Sequence, residues 1–390
     1  MISVAEALER VFALVSPLDA EEVPLSHAAG RVLAAPVAAR LTQPPFPASA
    51  MDGYAVDADA VRPGARFRVV GQSAAGHGHP GPVGPGEAVR IFTGAPVPPG
   101  ASRVVIQEDV SRDGDTITLG DRLDPQTYIR PAGNDFAAGT EVFPRRALRP
   151  GDVALLAAMG HGQIRVVRRP EVALIATGDE LVAPGETPGP DQIVASNGLG
   201  LAATVAATGA VPRVLPIARD TAQALSAAFD LARGADLVVT IGGASVGDHD
   251  LVADVAAARG MERAFYKVAM RPGKPLMAGR LDGAAMIGLP GNPVSSMVCG
   301  QIFILPALRA MLGLGAAPAP RRRAPLAHDV GTNGPREHYM RARLTEDGLA
   351  VFDRQDSALL SVLADADALA VRPPHDPARA VGEIVEYVDL

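Results

Sequence analysis

The spacing of hydrophobic and polar positions changes character along the chain. Ser3-Val-Ala-Glu6 has the form of a capping box, and the segment after it is apolar at helical spacing, at Val4, Leu8, Val11, Phe12 and Val15. This pattern predicts a helix that ends before Pro17. Residues of about 40–137 instead carry short strand-like runs between prolines and glycines, at Phe67–Val70, Ala88–Phe92 and Arg103–Gln107. We therefore predict a compact β domain inserted into a helical one, which Leu148–Met159 resumes.

Apolar runs of strand length alternate with helical patterns from about residue 168. The predicted strands are Val172–Ala176, Val211–Ile217, Asp236–Ile241 and Ala264–Val268. The predicted helices are Leu199–Thr208, Asp220–Arg233, Asp250–Arg259 and a longer one that Asn292 caps and Pro293 begins, with a kink at Pro306 and an end near Met311. Such alternation predicts a largely parallel α/β sheet with both faces covered.

The last part of the chain returns to strand patterns after a linker. Ala316–Arg323 is a linker by composition, and Tyr339–Leu344, Leu349–Phe352 and the C-terminal residues are strand-like. We read this part as a small β barrel or sandwich. The predicted fold is therefore multidomain α/β plus β. Its parts are a helical N-terminal domain (residues 1–39 and 138–167), an inserted β domain (40–137), a parallel α/β domain (168–316) and a C-terminal β barrel-like domain (317–390).

Composition excludes several classes of function. The formal net charge is -7 and no basic tail is present, so nucleic-acid binding through bulk charge is not expected. Cys299 is the only cysteine, which rules out a disulfide within the chain and a cysteine-based zinc site. The N-terminal residues do not form a signal-peptide pattern, and no uninterrupted apolar run reaches about 18 residues, so no membrane span is expected. These observations together predict a reducing cytoplasm.

The basic residues are distributed unevenly. Among 36 basic side chains only Lys267 and Lys274 are lysines, and both lie in FYKVAMRPGKP with Arg271 between them. Lysine is a compact point charge that can reach a phosphate or another small oxyanion. Pro272 and Gly273 favour a sharp turn at this point. The pattern predicts an anion site, although a solvated surface loop would also account for it.

Polar and glycine-rich loops follow the predicted strands of the α/β domain. TGDEL presents Glu180, and GGASVGDHD supplies Gly242, Gly243, Ser245, Gly247, Asp248 and Asp250. GLPGNP leads Pro290, Gly291, Asn292 and Pro293 into the N-terminus of a helix, where anions bind favourably. In such domains ligands bind beyond the carboxyl ends of the strands. Together these loops predict a phosphate-bearing ligand and a Mg²⁺ ion held by Glu180, Asp248 and Asp250.

The inserted domain has polar clusters of its own. Asp52 stands beside Gly53, Thr93 beside Gly94, and Asp135 after Asn134. Ordinary turn chemistry explains such pairs, but the prolines around them would also stiffen a binding site. A glycine- and histidine-rich loop with His77 and His79 matches the letters of a dinucleotide fingerprint without leading into a helix, and an exposed loop is the simpler reading.

The motifs SAMDGYAV, TGAPVP, GNDF, TGDEL, GG-x-SVG, RPGKP and GLPGNPVS occur in this order, and the chain thereby resembles the molybdopterin molybdenumtransferase family over essentially its whole length. The resemblance implies four domains, an elongated homodimer and an α/β domain that binds molybdopterin. It implies that molybdate is inserted into the dithiolene of molybdopterin-AMP, that AMP leaves, and that Mg²⁺ or a similar ion is required. The molybdopterin adenylyltransferase is a further predicted partner, and neither nucleic acid nor membrane is one.

The resemblance also assigns residues to roles. The matching acids are Asp52, Asp135, Glu180, Asp220 and Asp250, and Thr93 matches the threonine of the insert. Lys267, Arg271, Pro290 and Pro293 match the basic pair and the prolines, although Arg271 replaces a frequent lysine and Ala244 replaces a bulkier residue. PREHYMR and QDSALL resemble segments implicated in molybdate binding, which makes Arg336, Arg341 and Ser357 candidates.

Two other functions stay open at this stage. A nucleotide pyrophosphatase could use the same α/β module, but the motifs of the insert and the C-terminal domain would then have no role. A non-catalytic scaffold would need long interaction linkers, and the linker here has about ten residues.

Overall fold

The computed structural model describes residues 1–243 and 250–390. Its first helix, α1, is Val4–Phe12, and the hydroxyl of Ser3 accepts a hydrogen bond from the Glu6 amide at 3.1 Å, as the capping box predicts. Strands β1 (Ala20–Pro24) and β2 (Val37–Ala38) follow, separated by a 3₁₀ turn at Leu25–His27. The helix ends earlier than predicted, and its buried residues Val4, Ala7, Leu8 and Val11 pack against the α/β domain.

The inserted domain is built of short strands, as predicted. They are β3 (Ala48–Ser49), β4 (Gly53–Val56), β5 (Arg66–Ser73), β6 (Glu87–Ile91), β7 (Arg103–Ile106), β8 (Val110–Asp113), β9 (Thr116–Leu119) and β10 (Ile129–Arg130), with 3₁₀ turns at Ala58–Ala60 and Gln107–Asp109. One sheet runs in the order β7-β4-β6-β5-β9-β8. Its two faces carry separate apolar clusters, one around Phe67 and Ile117 and the other around Val89 and Ile91.

The chain then returns to the first domain through β11 (Glu141–Val142), α2 (Pro150–Ala158) and β12 (Gln163–Val167). Strand β1 pairs with β12 and β2 with β11, both antiparallel. The predicted helical domain, residues 1–39 and 138–167, is described throughout; it contains the α-helices α1 and α2 and also the strands β1, β2, β11 and β12. The first four residues of Gln163–Val167 alternate between exposed and buried positions, which is the period of a strand.

The α/β domain follows the predicted alternation. Its strands are β13 (Glu171–Ala176), β14 (Leu181–Val182), β15 (Ile193–Val194), β16 (Val211–Val214), β17 (Leu237–Ile241), β18 (Glu262–Tyr266), β19 (Met270–Arg271), β20 (Met277–Leu281) and β21 (Ala284–Leu289). Its helices are α3 (Asn197–Ala207), α4 (Ala222–Leu231), α5 (Leu251–Ala258), α6 (Pro293–Cys299) and α7 (Leu305–Met311), with a π-helical turn at Gly300–Ile304 between α6 and α7.

The main sheet of this domain has the order β16-β13-β17-β21-β20-β18. Strands β16, β13, β17 and β21 run parallel, whereas β20 and β18 are added in antiparallel pairs. Two reversals give β18 the direction of β21, so both strands end at the same edge of the sheet. The central strands are buried on both faces, which explains their continuous apolar sequences.

The helical run Pro293–Met311 is long and apolar. By length and composition its 19 residues would suffice to cross a membrane. An 18-residue window within it has a mean hydropathy of 1.4, but 78% of that window is buried inside the protein. Among its neighbours in the core are residues of α1, α3 and β21. The apolar character of this segment is therefore explained by its position in the core of the α/β domain.

The C-terminal domain is a curled sheet. It contains β22 (Arg322–Pro325), β23 (Glu337–Thr345), β24 (Gly348–Val351), α8 (Leu360–Ala364), β25 (Ala368–Arg372) and β26 (Ile384–Asp389). The order is β19-β23-β25-β26-β22, with β24 beside β23. Strand β19 comes from the α/β domain and pairs in parallel with β23. The segment with both lysines is therefore joined to the C-terminal domain.

Candidate functional site

A cleft of about 860 Å³ opens at the carboxyl edge of the main sheet. The ends of β13, β17 and β21 border it, together with the start of α3 and the start of α6. Of the predicted site residues, it is lined by Glu180, Asp220, Gly242, Gly243, Pro290, Gly291, Asn292 and Pro293. These residues come from four separate loops, and the parallel sheet brings the loops together.

The loop after β13 presents the Glu180 carboxylate. Glu180 is exposed, and its carboxylate lies over Gly178, whose φ of +152° and lack of a Cβ leave room for it. The carbonyl of Glu180 accepts a hydrogen bond from the Ile193 amide at 2.8 Å. Asp220 enters from the loop before α4; the residue that caps this helix is Thr221, which accepts a hydrogen bond from Ala224. Both carboxylates therefore stand at the cleft without a role in capping a helix.

Glycine is required where the β17 loop enters the cleft. Gly242 has a φ of +99°, and a Cβ there would lie 2.6 Å from the carbonyl oxygen of Thr177. Gly243 has a φ of +68° and would clash with the side chain of Val252. The positive φ angles of both residues, with a backbone neighbour at Gly242 and a side-chain neighbour at Gly243, explain the two glycines. Three other predicted residues of this loop, Ser245, Gly247 and Asp248, lie outside the described residues.

Asp250 differs from its predicted position on an open loop. Its side chain is 8% exposed, and it caps α5 by accepting a hydrogen bond from the Ala253 amide at 2.9 Å. The other carboxylate oxygen accepts a hydrogen bond from the Tyr266 hydroxyl at 2.9 Å. Burial and this hydrogen bond raise the pKa of Tyr266 to about 12. Asp250 therefore contributes to the stability of the fold, whatever further role it has.

The loop with both lysines is held from two sides. The Ile2 amide donates to the Lys267 carbonyl at 3.3 Å, and β19 binds to the C-terminal domain. Lys267 has a φ of +76°, and its ammonium group lies 5.1 Å from the centre of the Tyr266 ring. The Arg271–Pro272 peptide bond is cis. Arg271 is exposed and Lys274 half-buried, and Pro275 directly after Lys274 lines the cleft.

The GLPGNP segment leads into the N-terminus of α6, which lines the cleft. Asn292 stands at the N-cap position of α6 without a hydrogen bond from its side chain to the helix, and Pro293 is the first helical residue. Asn197 donates a hydrogen bond from its side-chain amide to the Gly291 carbonyl at 2.8 Å. Sequence reasoning missed Asn197 and Ser196, both of which line the cleft. The sequence feature that could have identified them is a pair of polar residues, Ser196 and Asn197, at the start of the apolar helix α3.

The candidates of the C-terminal domain are organised around a buried arginine. Arg341 is 1% exposed and donates to Gln355 Oε1 at 3.1 Å and to the Asp356 carbonyl at 2.8 Å. The carbonyl of Ser357 accepts a hydrogen bond from the Val294 amide at 3.0 Å. Arg341 therefore holds the segment before Ser357 against the start of α6, which differs from the predicted role as a direct ligand.

His338 lies among arginines in the same sheet. It is 6% exposed; burial lowers its pKa to about 4, and the nearby positive charges add to this shift. The arginines, in order of effect, are Arg271, Arg341, Arg336 and Arg372. Arg336 donates to the Met270 carbonyl at 3.3 Å, and Arg372 forms a buried ion pair with Asp376. Three of the cations predicted from the sequence, Arg271, Arg336 and Arg341, thus belong to one basic cluster around His338.

Two of the predicted residues of the inserted domain, Asp52 and Thr93, form a hydrogen-bonded pair. Asp52 Oδ1 accepts hydrogen bonds from both the amide and the hydroxyl of Thr93, each at 2.8 Å. These bonds, the amide contribution being the larger, lower the pKa of Asp52. Among the described residues, those lining the cleft include Glu180 and Asp220 but neither Asp52, Thr93 nor Asp135. Within one chain the structure therefore leaves the two sets of predicted acids in different places.

The donor set of the cleft suits one kind of divalent ion. Within residues 1–243 and 250–390, no cluster of three His, Cys, Asp or Glu side chains has the arrangement of a metal site. Mg²⁺ commonly binds through one or two carboxylates together with substrate phosphates and water. Glu180 and Asp220 match that need, because both are exposed carboxylates at the cleft.

Two further sequence features have structural explanations. His79 packs over Gly71, and the backbone of His77 pairs with that of Ala74, so their glycine-rich loop folds on itself. Cys299 is fully buried in the core, and burial raises the pKa of its thiol. Neither feature adds a group to the cleft.

Comparisons with known proteins cover the same regions. Three family models match: the MoeA N-terminal region (domain I and II) over residues 2–160, a probable molybdopterin binding domain over 173–310, and the MoeA C-terminal region (domain IV) over 323–390. A protein of Nostoc named molybdopterin molybdenumtransferase is 36% identical and covers 96% of this chain and 90% of its own. One of Mycobacterium tuberculosis, named molybdopterin molybdenumtransferase 2, is 37% identical over 94% of each chain.

Solved structures agree with these sequence matches. A crystal structure of the molybdopterin biosynthesis MoeA protein from Pyrococcus horikoshii superimposes with a TM-score of 0.87 at 31% identity, and covers 100% of this chain and 99% of its own. A second structure of that kind has a TM-score of 0.85 at 26% identity, with full coverage of both chains. The similarity therefore includes the insert and the C-terminal sheet as well as the α/β domain.

Proposed function

Since the chain belongs to the molybdopterin molybdenumtransferase family, we propose that it inserts molybdate into adenylylated molybdopterin and releases AMP, forming molybdenum cofactor. The observation that carries this proposal is the cleft at the carboxyl edge of the sheet. It combines two carboxylates, close-packed glycines and a helix N-terminus, and the loop with both lysines is adjacent. Each of these features suits a substrate with phosphate groups.

The cleft would hold the substrate mainly by electrostatics. The glycines of the β17 and β21 loops let backbone amides come close to a phosphate, and the start of α6 places the positive end of a helix there. Lys274 and Arg271 lie on the loop that continues into the cleft through Pro275, and are suited to a small oxyanion such as molybdate. Catalysis then consists of positioning and charge stabilisation, without a covalent intermediate on the protein.

Mg²⁺ fits the residues that the cleft provides. Glu180 and Asp220 would hold it together with phosphate oxygens, and Asp248 and Asp250 remain predicted ligands. When bound, the ion would neutralise charge on the phosphoanhydride as AMP leaves. The side chains of this chain would orient it and leave the remaining coordination positions to substrate and water.

We further propose that the protein works as a homodimer in the cytoplasm. Support for a dimer comes from Asp52 and Thr93, which are not among the described residues that line the cleft of the same chain. A second chain could bring its insert to the cleft and complete the site. The molybdopterin adenylyltransferase, which would deliver the substrate, stays a predicted partner.

The alternatives are less well supported. A nucleotide pyrophosphatase would leave the insert and the C-terminal domain without a role, yet the family models match both. A non-catalytic scaffold would not explain the exposed carboxylates and the cations near the cleft.

One assay separates these functions. The protein is mixed with adenylylated molybdopterin, molybdate and Mg²⁺, and both AMP and active molybdenum cofactor are measured. The proposal predicts that the two products appear together and that AMP release depends on molybdate. AMP without active cofactor would indicate a pyrophosphatase, and the absence of both products from correctly folded protein would favour a scaffold.

A further inference from the structure

Arg219 donates hydrogen bonds to the backbone of the loop that presents Glu180. It lies between β16 and α4, and its Nη1 donates to the carbonyl oxygens of Asp179 at 2.9 Å and Leu181 at 3.2 Å. These two carbonyls flank Glu180 on either side. Because one nitrogen binds both, the guanidinium group fixes the backbone around the Glu180 side chain.

Two further contacts complete this arrangement. The amide of Asp220, the residue after Arg219, donates to Asp179 Oδ1 at 3.1 Å. The carbonyl of Glu180 itself is bound by the Ile193 amide. Three consecutive carbonyls, those of residues 179, 180 and 181, are therefore held from outside the loop.

The consequence concerns the two carboxylates of the cleft. Glu180 and Asp220 are on separate loops and both are exposed, and among residues 1–243 and 250–390 neither side chain caps a helix. Arg219 and Asp220 are adjacent in sequence, so the contacts of Arg219 tie the position of one carboxylate to that of the other. Loss of an outer-shell contact that orients a metal-binding side chain commonly costs 10–100-fold in affinity or activity.

We propose that Arg219 is a positioning residue, which sets the spacing of the Glu180 and Asp220 carboxylates for a divalent cation and a phosphate group. This inference rests on the proposed function for the identity of the substrate. It adds a residue that does not itself line the cleft. The contact between Arg219 and the Glu180 loop can also be tested without substrate, by hydrogen exchange of the loop.

Arg213 offers a matched control. It belongs to β16, and its Nη2 donates to the carbonyls of Ala232 at 3.1 Å and Arg233 at 3.2 Å. It therefore makes the same kind of contact to two neighbouring backbone carbonyls. Those carbonyls follow α4, at the amino-terminal edge of the sheet, away from the cleft.

The experiment compares Arg219→Ala and Arg213→Ala with wild type. AMP release from adenylylated molybdopterin is measured in the presence of molybdate while Mg²⁺ is varied. We expect Arg219→Ala to lower kcat about 10–100-fold and to raise the Mg²⁺ concentration for half-maximal rate. Arg213→Ala should leave both unchanged. Hydrogen exchange of residues 177–183, followed by mass spectrometry, should become faster in Arg219→Ala alone.

A double-mutant cycle tests whether Arg219 acts through Glu180. If it does, Arg219→Ala combined with Glu180→Gln should be no slower than Glu180→Gln by itself, within about twofold. Three results would overturn the inference. The rate losses of Arg219→Ala and Glu180→Gln could multiply in the double variant, Arg219→Ala and Arg213→Ala could lose AMP release equally, or the hydrogen exchange of residues 177–183 could stay unchanged in Arg219→Ala. If wild type releases no AMP the proposed function fails, and unchanged exchange would then show separately that Arg219 does not hold the loop.

Discussion

The sequence around Asp250 is compatible with two different roles. As an acid after a glycine-rich strand end it matches a metal ligand, and as a residue before an apolar helix it matches a cap. In the structure both of its oxygens accept hydrogen bonds, from Ala253 and from Tyr266. Tyr266 in turn lies beneath the ammonium group of Lys267. The carboxylate thus links helix α5 to the loop with both lysines.

This arrangement predicts different results for two substitutions. Asp250→Ala removes the cap and should lower the free energy of unfolding by about 1–2 kcal/mol. Asp250→Asn retains an acceptor for the Ala253 amide and loses only the acceptor for the Tyr266 hydroxyl, so it should lose less stability than Asp250→Ala. Urea denaturation of both variants measures these differences. Equal losses of stability would show that the charge, and not the cap, stabilises the protein.

The same pair of variants tests the proposed metal role. A metal ligand requires the charge, so Asp250→Asn would then need more Mg²⁺ for AMP release although it is more stable than Asp250→Ala. Wild-type Mg²⁺ dependence in Asp250→Asn would remove Asp250 from the metal site and leave it as a structural residue.

At the scale of elements, β19, β23 and β25 place basic residues side by side. Arg271 is opposite His338 in the parallel pair, and His338 is opposite Arg372 in the antiparallel pair. Residues directly opposite each other in neighbouring strands lie on the same face of a sheet. This row of Arg271, His338 and Arg372 explains why the His338 imidazole stays neutral. Burial and the adjacent positive charges both disfavour protonation of the ring.

The lowered pKa of His338 makes stability depend on pH. The unfolded chain binds a proton at this histidine near pH 6.5, whereas the folded chain does so only near pH 4. Stability is therefore lost as the pH falls from about 6.5 toward 4, and at pH 5 the loss should be on the order of 2 kcal/mol. We expect His338→Gln to show a smaller decrease in melting temperature between pH 7 and pH 5 than wild type.

His328 provides the control for this measurement, because it is an exposed histidine of the same domain. His328→Gln should keep the pH dependence of wild type. If His338→Gln and His328→Gln behave alike, the pH dependence of the melting temperature has another origin.

At the scale of the whole molecule, the predicted acids of the inserted domain and those of the cleft lie apart within one chain. Asp52 and Thr93 form a tight pair in the inserted domain, and Glu180 and Asp220 line the cleft in the α/β domain. A homodimer in which the insert of one chain completes the cleft of the other would bring the clusters together. The apolar clusters of the inserted domain are separate from those of the α/β domain, so hydrophobic packing within one chain does not bring the two together.

A mixing experiment tests this shared site. Asp52→Ala and Glu180→Ala are each expected to lose AMP release. In a mixed dimer, one of the two sites combines the intact insert with the intact cleft, so the mixture should recover a measurable fraction of activity. Subunit exchange is verified with differently tagged chains. No recovery in exchanged dimers would place Asp52 and Glu180 in the same chain's site, or Asp52 outside any site.

Sequence alone determined the order and type of most elements, because these depend on local periodicity. The alternation from Val172 onward predicted β13, α3, β16, α4 and β17 to within a few residues. The rule that ligands bind beyond the carboxyl ends of parallel strands then placed Glu180, Gly242 and Pro290 at one edge, and they do line one cleft. The order of the motifs predicted the family, which the comparisons confirm.

Tertiary structure decided which partner each element and side chain finds. Helix α1 could bury its apolar stripe against any apolar surface, and only the fold places it on the α/β domain. The antiparallel β20–β21 hairpin had a local signal in Asp282-Gly283, where both φ angles are positive, but its place in the sheet depends on long-range pairing. The burial of Arg341 and the double hydrogen bonding of Asp250 were likewise beyond local sequence, because their partners lie on other elements.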